Sequence, residues 1–338
     1  MTTALCQFVD GVSFELEVNR GETLLDAAQR EGVPIQHQCR SGSCLSCICS
    51  STSGGLVMRA GKATSLLPAD IAAGQRLACS AELLGDDTLS FGYESNPRAP
   101  KQVQAFVNVV EQVCSDAVRL EVELADGHWL DFEPGQYVNI TPPGAASARS
   151  FSMSSIPDDL PRMEFYVRLL ERGLMSDYLR NQAKPDDVLT LEGPFGRFTR
   201  DSGDTAPLLF IAGGTGISPV LSLARQARLR KGRKPPMTLN FGCATDSRLF
   251  AEEALELLES WTPSLNLNIF VEDGSAATYP AGNPVQGIEA SSLTPDTKAY
   301  VCGPPAMVSA AAQHLQQLGL SAESIHYEQF TPAVTGEV

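Results

Sequence analysis

The sequence predicts a three-domain chain: a small α+β domain, then an antiparallel β-barrel, then a doubly wound parallel α/β domain. Three observations carry this. Cys39, Cys44 and Cys47 stand in Cys-x4-Cys-x2-Cys spacing, and Cys79 follows after 31 intervening residues, all inside a short segment with one hairpin and one helix. From about residue 100, short alternating strands recur between Pro-Gly and Asp-Gly turns. In the last third, apolar strands alternate with helical patterns, which is the signature of a parallel sheet.

The first segment is expected to span residues 1–96. ALCQFV and VSFELEV flank Asp10-Gly11 and read as a hairpin. TLLDAAQREG reads as a short helix, with Thr23 as N-cap, Asp26 three residues later and Gly32 near its end. The loop QCRSGSCLSC then holds three of the four cysteines. Their spacing is that of plant-type [2Fe–2S] proteins, whose cluster passes single electrons. Gly42 and the serines beside it can turn N–H groups towards the sulfurs, and such bonds help set a cluster's potential. Structural zinc also takes four cysteines, usually as two CxxC pairs or with histidines, whereas here there is one CxxC. Cys49 would point the same way along a strand as Cys47 and reads as a small buried residue. YESNPRAPKQ, residues 93–102, holds two prolines and reads as a linker.

The second segment, 97–203, contains the strand patterns QAFVNVVEQV, AVRLEVEL, QYVNITPP and MEFYVRLL. Arg149-Ser150-Phe151-Ser152 follows a Pro-Pro-Gly loop and offers a cation, an aromatic ring and a hydroxyl, which suit a phosphate, a flat ring and a ring nitrogen. On a strand, Arg149 and Phe151 share one face and Ser152 takes the other. An ordinary barrel strand with a surface arginine has the same pattern. Gly173-Leu174-Met175-Ser176 leads into a helix, with Ser176 as the expected N-cap and free N–H groups beside it for an anion.

The third segment, 204–338, begins with the strand PLLFIAGG and the turn Gly213-Gly214-Thr215-Gly216, which opens the helical pattern PVLSLARQARLR. Glycines there let backbone approach a pyrophosphate at the positive end of a helix, although the run is not GxGxxG. MTLNFGCA, EEALELLESW, LNIFV, KAYVCG and MVSAAAQHLQQLG continue the alternation. After the second strand, Asp246 suits a ribose 2′-hydroxyl and Arg248 a 2′-phosphate, leaving the nucleotide open. Cys302-Gly303-Pro304 reads as a strand end and tight loop.

Composition bounds the function. The chain has 338 residues, 43% hydrophobic and 19% charged, with a net charge of −15 that argues against nucleic acid. Residues 1–96 carry eleven acidic and six basic side chains, which suits solubility or an acidic docking face. No apolar run of 18 residues predicts a membrane span. Nine cysteines and the lack of a signal peptide point to the cytoplasm. A monomer is the default expectation.

Taken together, these motifs resemble the NADH-dependent reductase components of bacterial aromatic-ring-hydroxylating dioxygenases, of the benzoate and anthranilate dioxygenase reductase type, over nearly the whole chain. RSFS is similar to that family's Arg-x-Tyr-Ser flavin motif, GLMS to its Gly-x-Met-Ser turn, GGTGISP to its nicotinamide-dinucleotide turn, Cys302-Gly303-Pro304 to its Cys-Gly-Pro motif, and HYEQF to its closing segment. The resemblance implies a β-grasp [2Fe–2S] ferredoxin domain, a β-barrel FAD domain and an NAD domain. It implies Cys39, Cys44, Cys47 and Cys79 as cluster ligands, and Arg149, Phe151, Ser152, Gly173, Met175 and Ser176 around FAD. Gly213, Gly214, Thr215, Gly216, Asp246, Cys302, Gly303 and Pro304 are implied around the nicotinamide dinucleotide, and Ser152, Cys302, Glu328 and Phe330 near hydride transfer. The implied cofactors are a [2Fe–2S] cluster, FAD and NADH, and the implied partner is a Rieske-type terminal oxygenase. The reductases of di-iron monooxygenases share the same domain order and are the alternative. Leu45-Ser46 stands where Gly-Thr is usual, and Phe151 where Tyr is usual.

Overall fold

The computed structural model describes residues 2–62, 64–96, 99–274 and 279–330, so Pro97 and Arg98 of the expected linker lie outside the described residues. The chain divides into two compact units, Met1–Ala99 and Pro100–Val338.

In the first unit, β1 (Thr2–Phe8) and β2 (Ser13–Val18) form the hairpin around Asp10-Gly11, with Thr2 opposite Val18. Helix α1 (Leu24–Glu31) begins where the Thr23 hydroxyl oxygen accepts the Asp26 N–H at 3.1 Å and its O–H donates to Asp26 Oδ2 at 2.7 Å. It ends at Gly32 in the left-handed region, φ 73°. Its buried face of Leu24, Leu25, Ala27 and Ala28 joins a core with Leu16, Leu77, Leu89 and Phe91. Each such leucine contributes about 1.5–3 kcal/mol on burial. The remaining elements are β3 (Ile48–Ser51), β4 (Leu56–Met58), α2 (Pro68–Ala72), β5 (Gln75–Leu77), β6 (Ala81–Leu83) and β7 (Asp87–Phe91). Five of the strands make one sheet in the order β2-β1-β7-β3-β5, with β1 and β7 parallel at its centre, while β4 and β6 form a small ribbon. A helix crossing a mixed sheet of this kind is the β-grasp arrangement. Both ends of the expected linker are ordered. The Tyr93 ring packs on Phe8 and Phe91 in this core, its Oη accepts the Gln36 N–H at 2.9 Å, and Lys101 already starts the next strand.

The second unit opens with β8 (Lys101–Cys114), β9 (Ala117–Leu124), β10 (Tyr137–Thr141), β11 (Arg149–Ser152), β12 (Arg162–Arg168), α3 (Leu174–Asn181) and β13 (Val188–Phe195). The strands form an antiparallel sheet in the order β11-β10-β13-β8-β9-β12. Ser154 N–H donates to Glu164 O at 2.9 Å just past β11, which draws the two edges into a nearly closed barrel. Strand β13 is absent from the sequence reading, because Gly193-Pro194 cuts short the alternation of Leu189 and Leu191.

The chain then alternates through β14 (Leu208–Gly213), α4 (Ile217–Leu229), β15 (Met237–Thr245), α5 (Glu252–Ser260), β16 (Leu265–Asp273), β17 (Lys298–Gly303), α6 (Pro305–Gln317) and β18 (Ile325–Gln329). All five strands are parallel, in the order β16-β15-β14-β17-β18. Helices α4 and α5 share one core, and α6 packs on β17 and β18. Successive strands step away from β14 first to one side and then to the other. The crevice outside the carboxyl ends of β14 and β17 is therefore the topological switch point, where ligands of such sheets bind. Barrel and sheet share core side chains, with Tyr166 and Phe198 beside Phe210, Leu223 and Tyr300. Ser222 donates its O–H to Ser155 O at 2.6 Å and Arg225 pairs with Asp159 at 2.8 Å, fixing α4 to the barrel.

Candidate redox site

The cysteine loop wraps because Arg40, Gly42 and Leu45 all take positive φ, 54°, 81° and 57°. For Leu45 this conformation costs about 1–2 kcal/mol relative to glycine, which is usual there; packing of the Leu45 side chain on the unit's core offsets it. The winding aims the amides of Ser41, Ser43 and Cys44 at Cys39 Sγ, each at 3.4 Å, and the Gly42 amide at Cys79. The four thiols fall into two pairs. The bond from Cys44 holds Cys39 well below the usual thiol range and raises Cys44; the bond from Cys47 likewise lowers Cys79 and raises Cys47. Among the described residues, no three Cys, His, Asp or Glu side chains converge on a single metal position. Two-and-two thiols suit a cluster with two cysteines on each of two irons. Ser46 adds a buried hydroxyl beside Cys44 that has no hydrogen-bond partner of ordinary geometry and favours the Cys44 thiolate, a donor suited to cluster sulfur. The residues present fit a [2Fe–2S] group. Cys49 is buried and donates its S–H to Arg76 O, as a structural cysteine does.

In the second unit, β11 pairs with β10 so that Ser152 faces Tyr137 and Phe151 faces Val138. Ser152 is buried, Phe151 leans on the barrel core while part-exposed, and Arg149 lies at the surface, donating to Ala148 O at 2.7 Å. Strand β18 places Glu328 beside Cys302 of β17. The Glu328 Oε2 atom is sealed from solvent and unpartnered. Burial pushes the Glu328 carboxyl up to about 8, against a smaller opposing pull from the Ser152 hydroxyl. Burial also raises the Cys302 thiol well above its ordinary value, and Glu328 adds to this. Ser152, Cys302 and Glu328, spread over 177 positions of sequence, thus meet at one place between barrel and sheet. The Phe330 N–H donates to Gly303 O at 2.9 Å, and its ring packs on the shared core.

The amide-rich end of α3 differs from the expected one. Its N-cap is Gly173, not Ser176, and it has no side-chain cap. Ser176 lies inside the first turn, where its Oγ accepts the Leu170 N–H at 2.9 Å and so closes the preceding loop. The first-turn amides are consequently left for an outside anion. The Met175 side chain is buried in the barrel core, so its amide is what it can offer a ligand.

At the switch point, Gly213 ends β14 and Gly214, Thr215 and Gly216 form one tight turn into α4. A Cβ on Gly216 would stand 2.3 Å from Cys302 O, and one on Gly303 2.8 Å from Met307 Cε and 3.1 Å from the Gly213 backbone. The two loops therefore touch backbone to backbone. Pro304 caps α6, so two helix N-termini open beside this contact. Asp246 and Arg248 form a short turn at the end of β15.

The comparisons with known proteins agree with this construction. A 2Fe-2S iron-sulfur cluster binding domain matches residues 7–84, an oxidoreductase FAD-binding domain residues 104–199, and an oxidoreductase NAD-binding domain residues 210–313. The toluate 1,2-dioxygenase electron transfer component of Pseudomonas putida is 32% identical over 328 residues, covering 96% of each chain. The chain belongs to the reductase components of oxygenase systems. A naphthalene 1,2-dioxygenase/salicylate 5-hydroxylase reductase component from Ralstonia sp. is also 32% identical to this reductase, with coverage of 96% of the chain and 98% of the relative. The Amycolatopsis reductase GcoB superposes with a TM-score of 0.73 at 26% identity, covering 98% of the chain and all of that structure. The reductase is an NADH-dependent oxidoreductase with a [2Fe–2S] cluster, FAD and a nicotinamide-dinucleotide site, and it serves an oxygenase partner. No helix among its described residues is long and apolar enough to cross a membrane.

Sequence reasoning passed over Asp116 and Arg168, which approach Arg248 in the folded chain. No sequence signal marks them, because they lie 132 and 80 positions from Arg248 and only the packing of barrel on sheet brings them there.

Proposed function

We propose that this reductase takes hydride from NADH at the switch point of its parallel sheet and passes single electrons to the Rieske-type terminal oxygenase of an aromatic-ring-hydroxylating dioxygenase. The observation that carries the reading is the meeting of Ser152, Cys302 and Glu328 beside the Gly213–Gly216 turn, in a chain that also pairs four thiols two and two. When bound, FAD accepts the electron pair of NADH and releases it one electron at a time, which a one-electron cluster requires.

In this reading, Arg149 and the open amides after Gly173, including those of Met175 and Ser176, hold the FAD phosphates. Phe151 offers a ring face for stacking, and Ser152 offers a hydroxyl to the reacting edge. Gly213, Gly214, Thr215 and Gly216 give the nucleotide pyrophosphate a bare backbone at the start of α4, and Asp246 takes a ribose hydroxyl. Cys302, Gly303 and Pro304 bound the nicotinamide, which must come within about 3–3.5 Å of its acceptor. Glu328, kept neutral near pH 7 by burial, holds a proton beside Ser152 and Cys302 without placing a charge where hydride moves. Phe330 shields that edge. Cys39, Cys44, Cys47 and Cys79 hold the cluster.

The alternative partner is a di-iron monooxygenase. It draws on relatives such as the propane 2-monooxygenase reductase component of Rhodococcus jostii, 30% identical over 95% of the chain and 90% of the relative. An anaerobic NADH titration followed by absorbance and EPR tests the electron path, with flavin bleaching and a reduced [2Fe–2S] signal expected. Turnover with a purified Rieske oxygenase but not with a di-iron hydroxylase supports the partner; the reverse result refutes it.

A further inference from the structure

Helix α4 opens on the glycine turn and carries a row of polar side chains along the face that meets the barrel. Ser218, Ser222 and Arg225 stand at i, i+4 and i+7, positions that share one helical face. Each bonds to a barrel segment. The Ser218 hydroxyl oxygen accepts the Tyr166 N–H at 3.3 Å, and the Ser222 O–H donates to Ser155 O at 2.6 Å. Arg225 donates to Ser154 O at 3.4 Å and to Asp159 Oδ1 at 2.8 Å. Ser154, Ser155, Ser218 and Ser222 are buried, so water does not compete for their bonds. Among the described residues, Ser222 is the one donor to Ser155 O, and its loss would leave that carbonyl buried and unpaired.

The row lies between the two groups that hydride transfer must bring together. Ser155 comes three residues after Ser152, at most about 10 Å of chain. Ser222 comes six residues after Gly216, about 9 Å of helix. Ser155 is also gripped from its other side, where its Oγ accepts the Glu164 N–H at 3.0 Å, and the Ser154 O–H donates to Glu164 Oε1 at 2.8 Å. The segment leaving Ser152 is thus clamped between β12 and α4. At the far end, the turn abuts β17, since a Cβ on Gly216 would stand 2.3 Å from Cys302 O. A short path with one weak joint, the Ser222–Ser155 bond, therefore links Ser152 to Cys302.

We infer that Ser222 is a positioning residue for hydride transfer: its bond to Ser155 O sets the spacing between Ser152 and the Gly213–Gly216 turn, and so, on the reading proposed above, between flavin and nicotinamide. Arg225 holds the same spacing from one turn further on. Ser222 acts through Ser155, so its loss is expected to slow the transfer step and spare nucleotide affinity. Displacement by 1 Å costs about 100-fold in rate, and a partial slip at this joint is expected to cost about tenfold.

The test uses the full-length holoprotein. Stopped-flow flavin reduction in Ser222→Ala is expected to show a limiting rate about tenfold below the parent, with the NADH Kd within twofold. The non-reducing analogue 1,4,5,6-tetrahydro-NAD should bind with unchanged affinity but give a long-wavelength flavin absorbance band at most half as strong, because ring overlap is reduced. Hydrogen exchange should quicken at least tenfold over residues 153–156. Arg225→Gln, at a partly exposed site that tolerates the change, is expected to slow reduction about threefold, again with Kd unchanged. Leu258→Ala opens the same core from α5 and should leave the rate within twofold. A limiting rate within twofold of the parent in Ser222→Ala overturns the inference. If that variant does not fold, a rate within 1.5-fold of the parent in Arg225→Gln does so instead. Slowing that falls entirely on Kd, or that is equalled in Leu258→Ala, also overturns it, since general loosening would then be the cause. If NADH fails to reduce the flavin of the parent chain, the proposed function itself fails, a result separate from any of these.

Discussion

Gly216→Ala separates a steric account of the nucleotide turn from a conformational one. Gly216 sits at φ −61°, so alanine meets no backbone strain. Its new Cβ would lie 2.3 Å from Cys302 O, 2.6 Å from Cys302 C and 2.9 Å from Gly303 Cα, against an ordinary contact of 3.4 Å or more. The turn must move about 1 Å from β17, and the obstacle is backbone within a buried strand, which cannot rotate aside. Overpacking of this kind costs roughly 1–3 kcal/mol, here towards the upper end. For a unit of this size that lowers Tm by about 4–10 °C. A 1 Å displacement between the turn and Cys302 is also expected to slow flavin reduction by NADH about 10–100-fold. Gly214→Ala is the control: its φ of 54° costs about 1–2 kcal/mol, but no atom lies within 4 Å of the added methyl. The assays are thermal melting and stopped-flow flavin reduction. A Gly216→Ala protein with unchanged Tm and a reduction rate within twofold of the parent would refute the argument, as would a larger rate loss in Gly214→Ala than in Gly216→Ala.

Cys44→Ser is expected to remove cluster iron and cytochrome c reduction while sparing ferricyanide reduction, which flavin supports alone; loss of both in a folded variant would count against separate modules. Arg149→Ala should lower FAD retention on gel filtration, and a variant that keeps its full flavin content would exclude Arg149 from FAD binding. For Glu328, burial raises the carboxyl from 4.5 when unfolded to about 8 when folded. The folded state therefore keeps a proton that the unfolded state releases, so this group's contribution to stability is whole below about pH 4.5 and is lost as pH rises towards 8. Melting curves should accordingly show Glu328→Gln gaining on the parent between pH 5 and about pH 8; parallel pH profiles would show that the carboxyl is not held neutral.

Some of the protein is legible residue by residue. Thr23, Asp26 and Gly32 announce α1 because capping is a contact within one helical turn, and Asp10-Gly11 announces the first hairpin for the same local reason. The cysteine spacing is equally local: three ligands in nine residues fix a loop whose amides can reach sulfur. Ser176 was misplaced as a cap because its hydroxyl has a competing acceptor role, closing the loop at Leu170, that sequence spacing does not reveal. Strand β13 was missed because Gly193-Pro194 breaks its alternation, although its neighbours β10 and β8 hold it in the sheet.

The sequence by itself determined the order of domains, the spacing of the four cysteines and the glycine turn, since each is written in neighbours along the chain and governed by short-range sterics and hydrogen bonding. The tertiary structure alone decided that Ser152, Cys302 and the half-buried Glu328 come together, that the thiols pair two and two, and that Asp116 of the barrel meets Arg248 of the sheet. Those relations depend on desolvation and on charges brought within a few ångströms by packing, and neither has a signature in residue spacing.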